Sequence, residues 1–139
     1  MMDHTTLEKK IAEALNHNKF CSFATVEGNK PKVRYMALFH DGVNLHLATD
    51  RKTHKVEELE ENPNVYVLAG YEEGGSKDVI ELQGIARVTK QEQLRNELWN
   101  EDFKRWFSGP DDPDYVILEI EAQRIEYTPH GGELQVWEK

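Results

Sequence analysis

Asp50 to Lys55, read as DRKTHK, places Arg51, Lys52 and Lys55 beside His54 in a chain that is otherwise acidic. Basic residues packed this closely suit the binding of an anion such as a phosphate. Thr53 is placed to cap a helix over Thr53 to Asn62, with Val56 and Leu59 facing inward and Pro63 as the stop. Cations at a helix start are disfavoured by about a few tenths of a kcal/mol each. A bound anion would reverse that penalty, with helix N–H groups, the Thr53 hydroxyl and the Lys55 ammonium as its donors. Arg34 lies on the run that leads into an Asp41-Gly42 hairpin and can add a bidentate fork from a second element. On residue types and spacing alone, the stretch reads either as an anion site or as a solvated loop.

Other chemistries find little support. The histidines at 4, 17, 40, 46, 54 and 130 show no metal-ligand spacing. Ser22, Ser76 and Ser108 lack a nucleophile-elbow context, and no glycine-rich phosphate loop occurs. Cys21 is the one cysteine, and its place in an apolar-alternating run reads as a buried, inert thiol. Against 26 acidic residues there are 17 Lys and Arg, a formal net charge of −9. Such a surface repels nucleic acid and anionic membranes, so neither is expected as a partner. The N-terminal MMDHTTLEKK has neither the apolar core nor the cleavage pattern of a signal peptide, so a cytoplasmic location is expected.

The elements that must position these residues follow from periodicity. Thr5 to His17 reads as a helix with a Thr5/Glu8 capping box and Leu7, Ile11, Ala14 and Leu15 on one face. Extended runs follow at Phe20 to Val26, Lys32 to His40, Val43 to Thr49, Asn64 to Tyr71, Val79 to Lys90, Tyr115 to Glu121, Arg124 to Tyr127 and Leu134 to Trp137. EEGGSKD reads as a turn or loop. Gly84 inside a long strand predicts a bulge or a close backbone approach. Gln91 to Phe107 reads as a second helix, whose Trp99, Phe103, Trp106 and Phe107 read as core packing or a dimer seam ahead of a cofactor-stacking role. Short strands joined by turns, with inserted helices and no βαβ alternation, predict a mainly β fold. The expected architecture is a six-stranded antiparallel barrel spanning residues 1–139 as one domain.

With these segments in place, the chain resembles the pyridoxamine 5′-phosphate oxidase-like FMN-binding split barrels, and within them the general stress protein 26 group. The resemblance runs through FATVEGNKPKVRYMALFHDG, LHLATDRKTHKVEELEENPNV, ELQGIARV, WFSGPDDPDYVILEIE and RIEY. It implies a Greek-key split barrel that forms a homodimer with FMN sites between subunits. It also implies that Arg34, Thr53 and Lys55 grip the flavin phosphate, with His54 between the last two. Tyr35 and Met36 would run beside the isoalloxazine and ribityl chain, and Ala48 and Thr49 would also touch the flavin. FAD in place of FMN stays open. The oxidases of the family hold the substrate phosphate with a lysine where this chain has Phe39. Their substrate-contacting arginine and histidine fall in the tail that here offers Gln135 and Trp137. A flavin-facing tryptophan is replaced by Thr128, and Val79 stands nearest a missing glutamine. The resemblance therefore implies a stress-related flavoprotein, either a flavin-dependent oxidoreductase that does not oxidise pyridoxamine phosphate or a non-catalytic flavin carrier or sensor.

Overall fold

The computed structural model describes residues 2–70 and 77–139. Its order is α1 (His4–Leu15), β1 (Phe20–Glu27), β2 (Lys30–Ala37), β3 (Phe39–Asp41), β4 (Asn44–Asp50), α2 (His54–Glu61), β5 (Asn64–Gly70), β6 (Val79–Thr89), α3 (Glu92–Leu98), a short 3-10 helix (Glu101–Arg105), β7 (Tyr115–Thr128) and β8 (Gln135–Glu138). The class is mainly β, and every strand pair is antiparallel. Of the EEGGSKD turn, residues 72–76 lie outside the described residues.

The sheet has the order β2-β1-β5-β6-β7-β4-β3, with β8 paired to β7. Its two end strands, β2 and β3, are consecutive in the chain and separated only by Leu38. A flat sheet would hold its ends several strand spacings apart, each about 4.8 Å. One intervening residue spans only about 3.5 Å, so the sheet must curl until its ends meet. Leu38 is buried at this junction, and its N–H donates to the carbonyl of Lys19 (2.9 Å). The result is a barrel with a seam: β2 bonds β1 on one side and has no ladder to β4 on the other.

The six-stranded expectation is corrected to eight strands among the described residues. The Lys32 to His40 run breaks at Leu38 into two strands. The runs Tyr115 to Glu121 and Arg124 to Tyr127 fuse into β7, which absorbs Gln123 as the extra residue opposite Gln83 and Gly84. Gly84 thus marks both a register shift and a close approach. A Cβ there would lie 2.7 Å from Ile120 Cγ2 and 3.0 Å from the carbonyl oxygen of Glu121. The Asp41-Gly42 hairpin forms as expected, with Gly42 at φ +61°.

The helices differ from expectation at their ends. Asp3 caps α1, its Oδ1 accepting from the N–H of Thr6 (2.8 Å), so Thr5 lies inside the first turn and no Thr5/Glu8 box forms. The expected helix over Gln91 to Phe107 breaks at Trp99, which is extended. Asn100 then caps the 3-10 helix by accepting from the N–H of Asp102 (2.9 Å), a local bond that competes with helix continuation. The inward stripe of α1, Leu7, Ile11, Ala14 and Leu15, joins the main core with Phe23, Leu45, Leu47, Leu82 and Ile125. No helix among the described residues is long and apolar enough to cross a membrane.

Candidate functional site

A cleft of about 340 Å³ opens along the seam. Arg34, Tyr35, Met36 and Ala37 of β2 form one wall; Ala48, Thr49 and Asp50 of β4, with Thr53 and Lys55, form another; Phe103, Trp106 and Phe107 form a third. The barrel's closure therefore brings together seven of the eight residues expected from sequence: Arg34, Tyr35, Met36, Ala48, Thr49, Thr53 and Lys55. The route differs from the expected one. The Asp41-Gly42 hairpin pairs β3 with β4, whereas Arg34 on β2 faces Phe23 on β1. Arg34 and the β4 residues meet at the cleft along the seam, not across the hairpin.

Two cations stand at one end of the cleft. Lys55 Nζ donates to Thr49 Oγ1 (2.8 Å) and Thr53 Oγ1 (3.1 Å), which leaves the third ammonium hydrogen for a ligand. Burial and the nearby Arg34 lower the Lys55 pKa, so this ammonium lacks the charge compensation that an anion would provide. Arg34 donates from Nη1 to Thr25 Oγ1 (3.1 Å) and from Nη2 to Glu58 Oε2 (3.3 Å), with its guanidinium 5.8 Å from the Phe23 ring centre. Thr53 occupies the N-cap position of α2, but its hydroxyl donates back to the Asp50 carbonyl (2.8 Å) and caps no helix N–H. That corrects its expected capping role and explains its other use, which is to hold Lys55.

The rest of the basic run points elsewhere. Arg51 and Lys52 both pair with Asp114, at 2.9 and 3.2 Å. Asp114 is in turn set by a turn in which Asp112 accepts from the N–H groups of Ser108 and Asp114. Their crowding at the helix start is thus relieved by a carboxylate from a distant loop, and only Lys55 of the run serves the cleft. His54, the eighth expected residue, does not line the cleft. One residue along α2 rotates the side chain by about 100°, and its ring meets Glu27 (2.7 Å) and Glu57 (3.3 Å) instead.

The third wall is built from aromatics for which a cofactor-stacking role was the lesser of the two expectations. Phe103 and Phe107 pack with Tyr115 and Ile117 in a second core, Phe103 edge-on to Trp99 and Phe39 and Phe107 tilted on Tyr115. Burial pushes the Tyr115 hydroxyl up to about 12, and it donates to the carbonyl of Arg95. Core packing holds for Phe103 and Phe107, yet both also present an edge to the cleft, and Trp106 is 65% exposed beside them. Trp99, Phe103 and Phe107 pack against the second core, while Trp106 stays exposed. Thr25 and Glu58 were missed. The available signal was Thr25 itself, a polar residue on the Cys21-Phe23-Thr25 face that proves to be buried.

The His54 contacts give a titration with a definite sign. The bond to Glu27 is the main cause raising the His54 pKa above its ordinary 6.5. A raised folded-state value means that the pair's contribution is complete below that ordinary value and fades as pH rises through the raised one. In an NMR titration the His54 midpoint should lie above 6.5, and Glu27→Gln should bring it down. A midpoint that Glu27→Gln leaves in place would show that the pair is absent in solution.

Comparisons with known proteins agree with this architecture. The family model described as "Pyridoxamine 5'-phosphate oxidase" matches residues 7–129. General stress protein 26 of Bacillus subtilis (strain 168) is 40% identical over 136 residues, covering 97% of each chain. The crystal structure of the General Stress Protein 26 from Bacillus anthracis str. Sterne superposes with a TM-score of 0.81 at 35% identity, covering 93% of this chain and 97% of that one. A pyridoxamine 5'-phosphate oxidase-related, FMN binding protein from Nostoc punctiforme PCC 73102 shares the fold, with a TM-score of 0.75 at 14% identity over 99% and 93% of the two chains. The seam barrel and the match over most of its length together place this chain in the pyridoxamine 5′-phosphate oxidase family.

Proposed function

We infer that the cleft binds a flavin mononucleotide, with the phosphate at Arg34 and Lys55 and the ring system along β2. The observation that carries this reading is the pair of cations that retain free N–H donors at one end of a cleft whose other walls are largely apolar. A 340 Å³ cleft lies within the usual range for small-ligand sites. The edge of β2 that has no ladder offers backbone donors and acceptors to a planar heterocycle. The family membership and the FMN binding of the Nostoc structural neighbour support the same ligand. FAD fits the same phosphate end if its adenylate extends outward. A bound flavin would supply hydride or single-electron chemistry; the protein's part is to hold and orient it and to tune its electrostatics.

The substrate is not pyridoxamine phosphate in this reading. Phe39 stands edge-on to Phe103 in the second core, and Trp137 is buried and stacked on His4 at 5.3 Å. Neither offers a charge to a substrate phosphate or pyridine ring. A stress-linked flavin-dependent oxidoreductase fits the family context, with a flavin carrier or sensor as the second reading. FMN-loaded protein should leave pyridoxamine phosphate unconverted; oxygen-dependent release of the aldehyde would contradict this. Anaerobic reduction of the bound flavin by NADH or NADPH favours the oxidoreductase, and its absence favours the carrier.

A homodimer completes the site in this proposal. On the outer face of the sheet, Tyr35, Ser22 and Leu68 form one cross-strand row, and Val33, Ala24 and Tyr66 the next. Tyr35 is 77% exposed, and Val33, Tyr66 and Leu68 are exposed beside it. An apolar face of this kind marks a partner surface, and Tyr35 also lines the cleft, so a second copy seated there would border the ligand. Sedimentation should show a dimer at micromolar concentration, and Leu68→Asp should yield monomer with weakened flavin binding. A natural protein that sediments as a monomer with flavin bound would refute the shared site.

The phosphate grip is tested by titrating FMN and riboflavin against the natural protein and its variants. Arg34→Ala and Lys55→Ala should each weaken FMN by about ten- to a hundredfold, as expected for loss of a charge-assisted contact. Thr53→Ala should lose less. Riboflavin, which lacks the phosphate, should bind poorly throughout and barely respond. Equal losses for both ligands would mean that Arg34 and Lys55 support the barrel and hold no phosphate.

A further inference from the structure

Glu58 lies in the run EELEE, yet its side chain is 1% exposed. A buried carboxylate is tolerated only where partners offset its lost hydration. Here the partners are Thr25, whose Oγ1 donates to Glu58 Oε2 at 2.6 Å, and Arg34, whose Nη2 donates to the same oxygen at 3.3 Å, with His54 Nε2 3.7 Å from Oε1. Arg34 Nη1 also donates to Thr25 Oγ1 at 3.1 Å, which closes a triangle between β1, β2 and α2. The hydrogen bond from Thr25 and the nearby guanidinium keep Glu58 below the usual carboxylate range, so it is ionised at neutral pH.

A negative charge behind Arg34 is unfavourable for an anion site if charge alone decides. The field of the guanidinium on a ligand is partly cancelled by the carboxylate beside it. The arrangement is explained if orientation matters more than field. An arginine side chain carries considerable rotamer entropy, and fixing it before the ligand arrives removes that cost from binding. Two of its five N–H groups are used in the triangle, and Arg34 still lines the cleft.

We propose that Glu58, braced by Thr25, is a positioning residue that holds the Arg34 guanidinium ready for a phosphate monoester at the seam cleft. This rests on the flavin-phosphate reading and deepens it. Glu58 touches no ligand and acts through Arg34.

The test uses the full chain, with FMN and riboflavin titrated against the natural protein, Glu58→Gln, Thr25→Val, Arg34→Ala and the double variant E58Q/R34A. Glu58→Gln keeps the shape and removes the charge. Thr25→Val removes the brace and carries the test if the glutamine variant does not fold. Both should lose on the order of tenfold in FMN affinity with riboflavin unchanged. The double variant should bind FMN no worse than Arg34→Ala alone, because both act through one group. Unchanged or tighter FMN binding in the folded variants would overturn the proposal, since charge and not orientation would then govern the site. Equal loss of both ligands would make Glu58 a structural ion pair only. A natural protein that does not prefer FMN to riboflavin would overturn the flavin-phosphate reading itself, whereas a natural preference that survives both variants overturns only the role of Glu58.

Discussion

Everything at the proposed site depends on one constraint: β2 and β3 are joined through a single residue, Leu38, but stand at opposite ends of the strand order. The chain cannot satisfy both facts without rolling the sheet into a barrel. The closure is only partial: β3 bonds Asn44 to His46 of β4, and β2 forms no ladder with the remainder of β4. The unpaired gap between β2 and β4 becomes the cleft. The ligand space is therefore a consequence of topology, present before any particular side chain is considered.

Side chains then set the character of the gap. Lys55 and Arg34 arrive from different elements, and each is held by hydroxyls or a carboxylate beneath it: Thr49 and Thr53 for the lysine, Thr25 and Glu58 for the arginine. Both are thereby oriented without being fully neutralised. The second core supplies the opposite wall, and it is stiffened by Tyr115, which contacts Trp99, Phe103 and Phe107. Polar holding groups on one side and packed rings on the other suit a ligand with a charged tail and a flat apolar body.

Much of this was legible in the sequence. Strand alternation, the Asp41-Gly42 turn and the Val56/Leu59 spacing located β1, β4 and α2, and the types of Arg34, Thr53 and Lys55 already suggested an anion. What was not legible depends on contacts between distant segments. Arg51 and Lys52 read as part of the basic site until Asp114 is seen to take them. Glu58 reads as one more solvated acid because composition cannot show that Thr25 and Arg34 lie beneath it. His54 sits between two cleft residues, and only the helical rotation shows that it faces Glu27. Phe103 and Phe107 are recognisable as core residues, but their second role needs the seam to be in place.

The most direct test is a crystal structure of the chain grown with FMN. The account predicts phosphate oxygens within hydrogen-bond distance of Lys55 Nζ and the Arg34 guanidinium, with the ring system running along Tyr35 to Ala37. The Thr25–Glu58–Arg34 triangle should remain intact beneath the phosphate. FMN bound away from the seam, or bound there with its phosphate turned away from Arg34 and Lys55, would contradict it.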